Sequence, residues 1–94
     1  MLQQVAASGR QSSVVSLKFP KNVTSGNWID VRVYRTSQQA YAVTDTLGNT
    51  FMPYPKRKNR FIAWVPRGGS SIITVCFWDQ VKGARIVAGE RKNV

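Results

Sequence analysis

The sequence predicts an all-β fold, a single antiparallel β-sandwich of roughly six to seven short strands. Three observations support this. Apolar and polar residues alternate with a period of two, which is the pattern of a half-buried strand. β-branched and aromatic residues dominate the alternating segments, as strands prefer. Turn-forming residues recur at spacings of roughly 8–12 residues. An OB-like β-barrel is the alternative.

The phase of the alternation predicts which residues of each strand face the core. The first strand places Val15, Leu17 and Phe19 inward. The other alternating runs are Ile29, Val31 and Val33; Tyr41 and Val43; Phe61, Ala63 and Val65; and Ile73, Val75 and Phe77, with residues 84–88 as a last strand. Because Trp64 and Trp78 make the opposite face of two runs apolar as well, those strands are expected to be central strands buried on two sides or to have a face buried by oligomerisation.

Turn residues divide the chain between these strands. Gly48 and Asn49 predict a hairpin turn, with Asp45 shaping it. Lys82 and Gly83 predict a turn before the last strand. Residues 1–12 are predicted to be a polar lead-in, residues 13–88 the sandwich domain, and residues 89–94 a basic C-terminal tail.

Composition limits the class of protein. The 94 residues are enough for one domain, and the single cysteine excludes an intrachain disulfide. No apolar run approaches the roughly 18 residues needed to cross a bilayer, so no membrane insertion is expected. The N-terminal residues lack a signal-peptide pattern. A cytoplasmic location is expected for the chain as written, and a cell-surface or extracellular one if it is a fragment of a longer protein.

The sequence argues against an enzyme. It contains no histidine, and its four acids are dispersed. Cys76 lies in a predicted strand, with no base in the sequence to activate it, and is interpreted as core or sheet filler. No spacing of metal ligands is present. We therefore expect no catalytic residue, no metal and no cofactor.

The charge balance points to an anionic partner. Fourteen Lys and Arg residues against four acids give a net charge of +10. The strongest candidate for anion binding is a predicted loop with Lys56, Arg57, Lys58 and Arg60, next to Tyr54, whose ring can stack on a base. The alternative is a solvated hairpin whose charges only keep the protein soluble.

A second candidate is an aromatic face on the second strand. If Ile29 and its partners face the core, then Trp28, Arg32 and Tyr34 point outward together with Asp30. Such a face is a platform for a base or a sugar ring. Alternatively, these rings cover a sheet edge or pack beneath a partner chain.

The order of motifs resembles a β-sandwich module of large bacterial cell-surface and secreted proteins, Ig-like or jelly-roll-like and of unassigned function. The matching segments are residues 16–19, 22–27, 29–33, 43–51, 63–65, 68–75 with Phe77, and 84–87. Such modules carry near-neutral residues where this chain has its basic loop, and they continue with further strands. The resemblance therefore implies a C-terminally shortened sandwich with an unpaired edge, which recruits partners.

Together these features predict a non-catalytic binding or interaction module for an anionic polymer, protein or surface. Binding of a polysaccharide or a protein follows from the resemblance, and nucleic-acid binding follows from the charge as the alternative. A structural role through homo-oligomerisation, by an exposed edge or an apolar face, is the third hypothesis.

Overall fold

The computed structural model describes residues 2–92, and the regular secondary structure of these residues consists of β-strands alone. The six strands are β1 (Gln3–Lys18), β2 (Trp28–Tyr34), β3 (Ala42–Asp45), β4 (Met52–Pro53), β5 (Arg60–Trp64) and β6 (Ile72–Arg91). All five pairings are antiparallel. The predicted all-β antiparallel fold is confirmed.

Strand β6 organises the sheet because it pairs with three other strands. Along its whole length it lies beside β1; on its other side its first half pairs with β3 and its second half with β2. Strands β5 and β4 continue the sheet beyond β2. We call β3 with residues 72–76 and 14–18 the first layer. The second layer consists of residues 3–8 and 85–91 with β2, β5 and β4.

The two long strands bend where they pass from one layer to the other. The register between β1 and β6 shifts three times between Ser8 and Val14, so β6 contributes extra residues on this stretch. Gly83 lies there with a φ of 71°. Irregularities of this kind bend a strand pair and increase its twist. The predicted turn at Lys82 and Gly83 is therefore wrong: it is a bend within one 20-residue strand.

The termini also differ from the prediction. The expected lead-in over residues 1–12 is wrong from Gln3 onward, where β1 begins. At the other end β6 continues to Arg91, so residues 89–91 belong to the sheet rather than to a tail. Residues 1, 93 and 94 lie outside the described residues. Two of the six strands are thus long, not short.

The apolar residues of the predicted runs are buried, with the exception of Tyr41, which is 50% exposed and points outward. The inward residues of both layers belong to one hydrophobic cluster. Val15 and Leu17 of β1, with Phe19 just after it, join Ile29 and Val31 of β2 in this cluster. Because one cluster contains the inner faces of both layers, the layers pack face to face. A single folded sheet thus provides the two layers of a sandwich.

Gly9 lies buried on the inner face of β1 at the bend. A β-carbon at this position would lie 2.7 Å from Val81 Cγ2 and 3.2 Å from Val15 Cγ2. Valine side chains are stiff, so they cannot easily move aside. Gly9→Ala is expected to lower the free energy of unfolding by about 1–3 kcal/mol through overpacking, measured by urea denaturation. The exposed neighbour Ser8→Ala is the control, and equal losses in the two variants would contradict this account.

Candidate anion-binding face

The outer surface of the second layer carries aromatic and cationic side chains in rows across the strands. In one row Trp28 of β2 pairs with Trp64 of β5 on one side and Arg91 of β6 on the other. Two rows along, Arg32 pairs with Arg60. We call this surface the cationic face; it comprises Trp28, Arg32, Tyr34, Arg60, Trp64, Arg85 and Arg91.

The register explains why these side chains share one surface. Directly opposed residues of antiparallel strands point to the same side of the sheet. Because Ile29 and Val31 face the core, their neighbours Trp28 and Arg32 must face outward. The same alternation on β5 buries Ala63 and turns Trp64 outward.

The predicted basic loop, residues 56–60, differs in that Arg60 is the first residue of β5. The remaining residues, 56–59, belong to the connection from β4 to β5, which is held against a neighbouring segment; from here the basic loop means residues 56–59. The Asn59 side chain accepts a hydrogen bond from the Ala40 N–H at 2.8 Å and donates one to the Gln38 carbonyl at 2.7 Å. Lys58 Nζ donates to the Ser37 carbonyl at 3.1 Å. These hydrogen bonds hold the loop in one position relative to residues 37–40.

The basic loop and the cationic face meet in an open pocket of about 230 Å³. Four of its seven lining residues are cations and none is an acid: the cations are Arg32, Arg57, Lys58 and Arg60, and the others are Val33, Tyr34 and Asn59. Sequence reasoning proposed the loop and the stripe as separate candidates. The structure brings them together at this pocket; Lys56 is exposed in the same loop but does not line it.

Asp30 differs from the prediction, which placed it in the exposed stripe. It lies on the outer face as expected, but its side chain is only 1% exposed. Its Oδ2 lies 3.1 Å from Arg60 Nη2, 3.2 Å from Arg91 Nε and 3.7 Å from Arg32 Nε. Three guanidinium groups from three strands thus surround one carboxylate, which sets their positions on the surface.

Arg60 is held from two sides. It donates two hydrogen bonds to the Asp30 carboxylate, and these raise the pKa of the Arg60 guanidinium, outweighing the lowering effect of burial. The guanidinium also lies over the ring of Tyr54, 4.4 Å from its centroid. Tyr54, predicted to stack on a ligand, therefore stacks on Arg60.

Sequence reasoning missed Arg85, Arg91 and Trp64 as members of the site. Arg85 pairs with Tyr34, and Arg91 pairs with Trp28. The signal for Trp64 was present, since the buried phase of β5 turns it outward. Arg85 and Arg91 could be assigned to this face only once the register of β6 against β2 was known, because the two strands are far apart in sequence.

A separate aromatic pair lies on the outer surface of the molecule and does not line this pocket. Trp78 is 78% exposed and stacks on Tyr41, with ring centroids 4.1 Å apart. Exposed Val14 and half-buried Cys76 are paired nearby across β1 and β6. Cys76 is thus a sheet residue of the outer surface rather than of the core. Homo-oligomerisation through such an apolar face stays a prediction.

Glu90 is the second buried acid, in a region predicted to be a tail. Its carboxylate accepts hydrogen bonds from the Thr24 N–H, Asn27 Nδ2 and Gln3 Nε2, each 2.8 Å long. Burial alone raises the pKa of Glu90, but these three hydrogen bonds outweigh it and the pKa is lowered. Glu90 therefore acts as a charged link between β6, β1 and the loop before β2.

Comparison of the chain with protein-family models, with curated proteins and with solved structures found no match. Among residues 2–92 there is no group of three potential metal-ligating side chains, and no helix long and apolar enough to cross a membrane. The resemblance to bacterial cell-surface modules stays a prediction. The case for a function therefore depends on the cationic face itself.

Proposed function

We propose that this protein is a non-catalytic binding module whose cationic face takes an anionic polymer. The observation that carries the proposal is the pocket in which Arg32, Arg57, Lys58 and Arg60 converge with no acid among its lining residues. Four cations in one open pocket repel one another, and a bound anion relieves that repulsion. Arginine guanidinium groups and lysine ammonium groups both form charge-assisted hydrogen bonds with phosphate or sulfate oxygens.

The cationic face has more positive charge than the carboxylate of Asp30 can neutralise. Asp30 takes part in every ion pair recorded within residues 2–92, and it serves Arg32, Arg60 and Arg91 at once. One negative charge against three positive charges leaves an excess before the basic loop is added. An excess of this kind attracts a polyanion and speeds its association.

The arrangement is also largely formed in advance. The loop is pinned through Asn59, and the arginines are held through Asp30. A ligand therefore does not have to order the face, which favours binding over a role in solubility alone. A loop that only kept the protein soluble would need no such fixation.

The test compares two variants with identical changes in charge. The site variant is Arg57→Gln and Lys58→Gln, two cations that line the pocket. The control variant changes two exposed cations that do not line it, Lys21→Gln and Arg67→Gln. Affinity for a labelled polyanion, measured by fluorescence anisotropy over a salt series, should fall on the order of tenfold in the site variant and much less in the control.

The salt dependence gives a second readout of the same comparison. Each lost phosphate contact should reduce the slope of log affinity against log salt by about one. Equal losses in the two variants would mean that net charge alone drives binding. That result would remove the pocket from the proposal.

A further inference from the structure

We infer that the polymer bound by the cationic face is single-stranded nucleic acid, whose bases stack on Trp28 and Trp64 while its phosphates contact the arginines. The inference rests on the proposed function and adds the class of ligand. The observation behind this inference lies outside the pocket: it is the pairing of Trp28 with Trp64 on the cationic face.

The two tryptophans form an aromatic platform beside a cation. Trp28 and Trp64 are directly opposed on β2 and β5, and Arg91 lies opposite Trp28 on β6. Trp64 is 51% exposed, so much of its side chain is open to a ligand. Stacking on aromatic rings beside a cationic groove is how single strands are bound without reading their sequence.

The pocket and the tryptophan pair are spaced along one strand. Arg32 lies four residues after Trp28 on β2, which corresponds to about 13 Å at the rise of a strand. Asp30 lies between them and positions Arg32, Arg60 and Arg91. A polymer lying along β2 therefore meets cations and aromatic rings at both ends of this distance, with Trp28 and Trp64 at one end and Tyr34 at the other.

A double helix fits this surface less well. Its bases are stacked in the interior, so their faces cannot reach Trp64. Strands β6, β2 and β5, which carry the cationic face, are flanked by β1 and β4, so the sheet is about 19 Å wide between its outer strands. The major groove is only about 12 Å wide and admits a two-stranded ribbon. A sulfated polysaccharide can satisfy the arginines, but its sugar rings lack the flat π-face with which a base stacks on tryptophan.

The test measures Trp64→Ala against Trp78→Ala by anisotropy with a labelled oligothymidylate. Trp78 is exposed, stacks on Tyr41 and does not line the pocket, so its variant is the matched control. Stacking on an aromatic residue predicts a loss of about tenfold for Trp64→Ala and none for Trp78→Ala. Trp64→Phe keeps a ring and should recover most of the affinity. The salt slope should be unchanged, because no cation is removed.

The same assay with a duplex of equal length and with heparin separates the outcomes. Tighter binding of the single strand, lost on Trp64→Ala, supports the inference. Similar affinity for all three polymers and no effect of Trp64→Ala would overturn it while leaving polyanion binding intact. Failure to bind any of them at low salt would overturn the proposed function as well.

Discussion

Replacing Asp30 with alanine is expected to destabilise the fold by about 2–3 kcal/mol. The change leaves the guanidiniums of Arg32, Arg60 and Arg91 facing one another without their common carboxylate. Removing one partner of a fully buried pair costs roughly 3–5 kcal/mol. These arginines are partly in water, which screens their repulsion, so a smaller loss is expected. Urea denaturation of purified protein measures it.

Asp79→Ala is the matched control for this experiment. It removes the same charge from an exposed position in the bend of β6, and surface changes of this kind stay within about 0.5 kcal/mol. Equal destabilisation by the two variants would show that the arginine cluster at Asp30 contributes no more than general charge balance.

Acid should weaken the fold through Glu90. Its carboxylate accepts three hydrogen bonds in the folded protein, so its pKa lies below the ordinary value of 4.5. The stabilisation is therefore fully present above the unfolded pKa and is lost as pH falls through the lower, folded pKa. Stability of the unaltered protein, followed by urea denaturation over a pH series, should fall in that acid range.

Glu90→Gln isolates this contribution. The amide would place an N–H₂ group against a donor, either Gln3 Nε2 or the pair formed by the Thr24 N–H and Asn27 Nδ2. A loss of about 2–3 kcal/mol is expected at neutral pH, and it should shrink as the pH falls because the carboxylate becomes protonated. Asp79→Asn, at an exposed carboxylate, is the control. A loss for Glu90→Gln that stays constant into the acid range would contradict this assignment.

Local pattern was enough to predict the central strands of the fold. Ile29, Val31 and Val33 alternate with polar residues, and the structure buries all three. The turn at Asp45 was also evident, since the Asp45 carboxylate accepts hydrogen bonds from the Asn49 N–H and side chain. The hairpin predicted there is wrong, because β3 pairs with β6 and β4 pairs with β5. Both features depend only on residues a few positions apart.

The long strands were not predictable in the same way. The first half of β1 has small or polar residues, and its inward positions are Val5, Ala7 and Gly9. Gly9 is required by the close approach of Val81, which no local pattern reveals. Gly83, read as a turn residue, instead takes a positive φ inside β6. Glycine has this conformation available in a bend as readily as in a turn.

In the candidate site, too, local features could be predicted from the sequence and long-range contacts could not. The basic loop and the outward phase of Trp28, Arg32 and Tyr34 were evident from the sequence. Their convergence was not, because it depends on the register that places Arg60 opposite Arg32. The burial of Asp30 likewise requires arginines from three strands, which meet only in the folded sheet.

The central position of β6 has a consequence for how the protein is made. Within residues 2–92, β1 and β3 pair with no strand other than β6, which follows all the others in the chain. The pair Gln3 and Glu90 joins residues 87 positions apart. Such non-local pairing is associated with folding times of roughly milliseconds to seconds. During synthesis, β1 and β3 leave the ribosome before their pairing partner exists, and in this interval their open edges expose the chain to aggregation.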